Sequence, residues 1–291
     1  MIFSNKMIFS AIMSVGLIFS SCSSAKNRAM FVTDVHSRAA KLYDGANKEI
    51  AAGNFGAAKT MLESAYSLAT AIDDEELLCR ICVSSYNCRI SAKDSEADAI
   101  FSEKSADDLL YEAKMYADFS GNPELAAVIA IFEAKGTISL GKDKNALKNH
   151  IDLIQNRAKK LKKSPFYLAL SYRTQADLYF RLDDFASAAN LYEKAASVHT
   201  KNRYLSEIGT DWYYAALSHS RAGNKADAIR AIQNALKYDK DAENISAIAS
   251  DYSAYSKILL KGNPSAEEKS KAQKALERAE KIKAAAKSAE E

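Results

Sequence analysis

A seven-position pattern recurs three times in this chain with unchanged spacing. Tyr172, Ala176, Tyr179, Phe185, Ala188, Tyr192 and Ala195 are separated by 4, 3, 6, 3, 4 and 3 residues. Trp212, Ala216, His219, Lys225, Ala228, Ile232 and Ala235 repeat those steps, as do Leu42, Ala46, Glu49, Phe55, Ala58, Leu62 and Ala65. Steps of three and four keep residues on one face of a helix. The longer step carries the chain through a turn, written Gly53-Asn54 in one unit and Gly223-Asn224 in another. Each unit therefore predicts two antiparallel helices. Alanine at the crossing points lets the two backbones approach, and the larger side chains fill the flanking gaps.

Composition agrees. The chain has 291 residues, 51 of them Ala, with only 3 Pro and 10 Gly, which favours helix throughout. No stretch alternates apolar and polar residues long enough to argue for a strand. Pro123, Pro165 and Pro264 each read as sitting just inside a helix start, behind a capping residue. An apolar content of 48% excludes a disordered chain. A net charge of +3 gives no reason to expect nucleic acid as a partner. Four Cys are too few for a disulfide scaffold.

Residues 1–21 read as an export signal. Lys6 precedes a 13-residue apolar stretch, 7–19, which is too short to span a bilayer comfortably. Ser20-Ser21-Cys22 then resembles a bacterial lipobox, although Phe19 stands where Leu is usual. The resemblance implies that Cys22 is acylated and becomes the first residue of the mature chain. An ordinary signal peptide and an uncleaved anchor are the alternatives. Residues 22–30 form a short polar tether, reaching about 30 Å when extended. Ser23 after the cysteine resembles lipoproteins sorted to the outer membrane. The expected location is thus the outer membrane, lipid-anchored and facing the periplasm, with the inner membrane and the cell surface left open.

The order bulky, small, large, aromatic, small, bulky, small resembles the tetratricopeptide repeat (TPR). The resemblance implies an all-α solenoid of about six antiparallel helix pairs over residues 31–291. The expected hairpins are 31–71, 74–118, 123–162, 165–200, 203–239 and 241–288. The match is loose in the second, third and sixth, and an Ala-rich helical bundle is the plainer alternative. Spacing near 40 residues, against about 34 for the family, implies longer helices or longer connections. The last helix carries a narrow stripe of Ala272, Ala275, Leu276, Ala279 and Ile282, suited to a terminal cap.

Chemistry is sparse. Cys79 and Cys82 form a C-x-x-C inside a helical pattern. Core packing is the expectation for these and for Cys88, with a disulfide or half a metal site as alternatives. His36, His150, His199 and His219 are scattered over four helices, and His219 falls at a packing position. Asp73-Asp74-Glu75-Glu76 reads as a cap with an acidic first turn. No catalytic residues, metal or cofactor are expected.

In TPR proteins the first helix of each pair lines a concave groove. Here the resemblance places Tyr43, Asn47 and Ile50, then Leu170, Arg173, Asp177 and Phe180, then Thr210, Tyr213, Leu217 and Ser220 along it, with Arg181 and Arg221 at its flank. Tyr and Arg make anchors for a bound peptide or helix. Ordinary exposed helix residues are the alternative. The clamp for acidic C-termini is not reproduced, because Asp177 stands where an amide is expected. The implied function is a non-catalytic, lipid-anchored adaptor for an envelope protein or peptide. An accessory to a periplasmic solute transporter, paired with its solute-binding protein, is the alternative. Homo-oligomers are compatible with either.

Overall fold

A computed structural model describes residues 34–92, 104–139, 141 and 143–290. The expected export signal over 1–21, Cys22, the expected tether over 22–30 and most of the polar segment 92–104 lie outside the described residues. The described chain is helical, without strands. It divides into two compact units, one ending at Gly141 and the other beginning at Lys142.

The first unit contains α1 (Asp34–Ala52), α2 (Phe55–Ala71), α3 (Glu75–Ser91), α4 (Ala106–Ser120) and α5 (Pro123–Ser139). The second contains α6 (Lys144–Ala158) with a 3-10 turn at Lys159–Leu161, α7 (Pro165–Arg181), α8 (Phe185–Asn202), α9 (Leu205–Arg221), α10 (Lys225–Asp241), α11 (Ile245–Leu259) and α12 (Ala266–Glu290).

The turns explain the long repeat. Left-handed residues fall at Gly53 and Asp73, and again at Asp183, Arg203, Gly223 and Glu243, always 20 apart within each series. In each case the next residue's N–H reaches back five positions: Asn54 to the Glu49 carbonyl at 2.9 Å, Asp184 to Tyr179 at 3.0 Å, Asn244 to Asp239 at 2.9 Å. This closes the helix end by satisfying its last carbonyls. Most of these helices have 17 residues, about 25 Å of helix each. The extra length over the family's repeat is therefore helix, and the connections stay short.

Neighbouring helices pack in sequence order. In the first unit α1 lies on α2, α2 on α3, and α3 on both α4 and α5. In the second, contacts run from α6 through to α12, and α9 also touches α11. Of the expected hairpin 123–162, α5 falls in the first unit, where it packs on α3 and α4, and α6 falls in the second, where it packs on α7. Gly136 on α5 marks a close crossing with α3. The Tyr86 hydroxyl of α3 occupies the space its β-carbon would need, so only glycine allows that crossing.

The alanines at the repeat positions sit in the core. Ala46, Ala58, Ala65, Ala176, Ala188, Ala195, Ala216, Ala228 and Ala235 are all fully buried. The α12 stripe packs through Ala272, Ala275 and Ala279, but Leu276 is 40% exposed at its edge. Pro165 begins α7. Pro264 instead precedes the cap: Ser265 and Glu268 exchange backbone-to-side-chain hydrogen bonds of 2.8 and 3.1 Å and start α12.

Candidate functional site

The groove residues expected from the sequence divide into two groups. Tyr43 and Asn47 are buried in the first unit. Asn47 donates to the Tyr43 carbonyl at 3.0 Å and accepts from the Ser84 hydroxyl at 2.8 Å. They tie α1 to α3 and present no surface to a partner. Asp177 accepts from the Tyr192 hydroxyl, and the Tyr192 ring stacks on Tyr214 with centroids 5.5 Å apart. Burial, then the Asp177 charge, pushes the Tyr192 hydroxyl far above its ordinary range.

Arg173 is the main correction. It does not point into an open groove but into a buried charge cluster spanning α7, α8 and α9. Its Nε donates to Asp211 Oδ1 and its Nη1 to Glu207 Oε2, both at 2.6 Å, and its Nη2 to the Glu207 carbonyl at 3.1 Å. His199 Nδ1 lies 2.6 Å from the second Asp211 oxygen. Phe166 and Tyr204 flank the imidazole, with ring centroids 6.1 and 5.6 Å away. Burial alone would lower the guanidinium's affinity for its proton, but the Asp211 and Glu207 charges outweigh it and hold Arg173 charged. The side chains of Glu207, Asp211 and His199 are at most 2% exposed. The cluster is sealed by its own helices, and its chemistry is that of a cross-link.

The remaining groove residues keep accessible surface. Tyr213 and Leu217 are half-buried on α9, and Arg181 and Arg221 are exposed at the ends of α7 and α9. The Tyr213 ring meets Tyr214 edge-on at 5.4 Å. Burial raises the Tyr213 hydroxyl's pKa, and the Asp251 charge adds to it.

Cys79, Cys82 and Cys88 are buried along α3, and no disulfide joins them. Burial pushes the Cys79 thiol up to about 12. The Cys82 thiol is raised further, by burial and then by Glu112, whose Oε2 lies 3.7 Å away. Asp74 caps α3 as expected, accepting from the Leu77 N–H at 3.0 Å. His219 lies 3.1 Å from Glu193, inside the packing layer. Among the described residues no group of three or more His, Cys, Asp or Glu is arranged to hold a metal ion.

The sequence analysis singles out neither Glu207 and Asp211 nor Asp239 and Asp251, a second buried acidic pair, and it takes His199 only as one of four scattered histidines. A signal was present. Asp211 and Asp251 each precede the first bulky residue of a unit, and His199 and Asp239 each follow its last alanine by four. The two sets are 40 residues apart, as are Arg173 and Tyr213. The same interior sites are thus filled twice with different chemistry. No protein-family model and no curated protein matches the chain.

Proposed function

We propose that this chain is a TPR-type adaptor, anchored through lipid on Cys22 at the periplasmic face of a bacterial outer membrane. It holds a protein or peptide partner along the first helices of its hairpins and carries out no catalysis. One observation supports the reading above others. The 40-residue register from α7 to α10 repeats the same alanine crossings, and it leaves Tyr213 and Leu217 half-exposed on α9 while Arg181 and Arg221 stay at the surface. A rigid aromatic and aliphatic strip with Arg at its ends suits peptide recognition, because little side-chain freedom is lost on binding. Tethering at a membrane raises the effective concentration of a partner held there.

The test is site-specific photo-crosslinking in cells. A photoreactive residue at Leu217 or Arg221 of the full chain should give discrete adducts, and one at Lys274, exposed on the outer face of α12, should give none. Equal yields from all three positions would overturn the groove. Separately, Cys22→Ser should abolish acyl labelling of the chain, and persistent labelling would remove the anchor from the proposal.

A further inference from the structure

The interior of the second unit contains two equivalent polar junctions. Between α8 and α9, His199 faces Asp211, and Arg173 brings a cation to the carboxylate. Forty residues on, between α10 and α11, Asp239 stands at the place of His199, Asp251 at that of Asp211, and Tyr213 at that of Arg173. Both cationic or ring partners have been replaced, and two carboxyl groups face each other.

Both acids are 1% exposed. Each carboxyl is the other's side-chain neighbour in this interior. Asp239 Oδ1 and Asp251 Oδ2 have no further partner. The Asp239 carboxyl lies against Gly209 of α9, the one residue type that leaves room for it. The charges on every element packed here are otherwise engaged. From α9, Tyr213 feels the Asp251 charge, and Glu207 and Asp211 are held by Arg173. Lys240 of α10 and Arg278 of α12 both turn to the Tyr252 hydroxyl, at 3.1 and 3.4 Å. No cation pairs with the two acids among the described residues.

Two buried carboxylates in contact cannot both ionise without a counter-charge, so one proton stays between them. We propose that this shared proton latches α11 and α12 to the preceding helices, and that its loss as pH rises releases this last hairpin while the Arg173 junction stays closed.

The sign follows from the direction of the shifts. Burial, together with the partner acid, raises both Asp residues above their ordinary value of 3.8. The folded chain therefore keeps a proton that the unfolded chain has released. Stability from the latch is present below about pH 4 and is lost as pH climbs through the raised range. The Arg173 junction has its own cation and gives no such loss.

The experiment is amide hydrogen exchange on the full chain at pH 6 and pH 9, corrected for intrinsic exchange rates. Protection of α11 and α12 should fall at least about tenfold more than that of α7 and α8, the effect of roughly one pH unit of differential titration. Asp251→Asn and Asp239→Asn should each remove this difference. Uniform loss of protection, or a difference that survives both substitutions, would overturn the proposal. Because either variant could fail to fold, carbon-detected NMR titration of the wild-type carboxyls gives an independent reading. One aspartic carboxyl still protonated at pH 7 is expected, and full ionisation of both by pH 7 would overturn it.

Discussion

The carboxyl group of Asp239 on α10 rests against the Cα of Gly209 on α9, in the space a β-carbon would occupy. In an open helix, Gly→Ala would gain up to about 1 kcal/mol of helix propensity. Here the new methyl must displace a buried carboxyl or push two helices apart. Gly209→Ala is expected to destabilise the chain by about 1–3 kcal/mol, as overpacking does. Urea unfolding of Gly209→Ala, Asp239→Ala and the double variant checks it. The double variant should be more stable than the sum of the singles, because the clash is gone. A stabilised Gly209→Ala would mean the helices do not approach this closely.

Arg173 and Arg181 lie on the same helix and should behave oppositely. Arg173→Met leaves Glu207 and Asp211 buried beside an apolar side chain. Breaking a buried pair by removing one partner costs about 3–5 kcal/mol. Arg181 is exposed, so Arg181→Met should change stability by less than about 0.5 kcal/mol. Thermal or urea unfolding of the two variants separates the cases. A loss below about 1 kcal/mol for Arg173→Met would place the guanidinium in water.

Periodicity carried most of the architecture. Helix spacing, the alanine crossings and the Gly53 and Gly223 turns are all local, and they were readable from residue type alone. The breaks near 73, 183, 203 and 243 followed from the same spacing, but the left-handed conformation of Asp73, Asp183, Arg203 and Glu243 did not, because helix closure imposes it on residues that do not advertise it. The assignment of Arg173 to a groove failed for a related reason. Whether a long side chain there faces out or in depends on Glu207 and Asp211, more than 30 residues later, and the 40-residue echo of these sites carries different residues, so residue type alone does not reveal the pairing. Gly136 is similar: its role is visible only once Tyr86 is placed against it.

The α3 cysteines give a chemical test of burial. A thiol raised to about 12 has several orders of magnitude less thiolate at pH 8 than a free cysteine with a pKa near 8.5. Cys79 is also 1% exposed, so reagent access is restricted as well. Iodoacetamide labelling at pH 8, read by peptide mass spectrometry, should be at least about a thousandfold slower at Cys79 in the folded chain than in urea. Comparable rates in both states would show that α3 is open to solvent.

The alanine crossings can be probed at three sites that share one substitution. Ala188 and Ala228 are fully buried where paired helices cross. Leucine at either position adds three heavy atoms to a space already filled by neighbouring side chains. Each substitution should cost about 1–3 kcal/mol. Ala286 lies near the end of α12 and borders an open cleft of about 490 Å³ between α11 and α12, lined also by Ile245, Ala249 and Ile282. Leucine there has room, and helix propensity barely changes between the two residues. Ala286→Leu should therefore shift stability by less than about 0.5 kcal/mol. Thermal melts of the three variants decide the matter together. A large cost at 188 and 228 with none at 286 follows only if the seven-position pattern marks real helix crossings. Equal tolerance at all three would mean that the alanines reflect composition, and that the helices pack in another register.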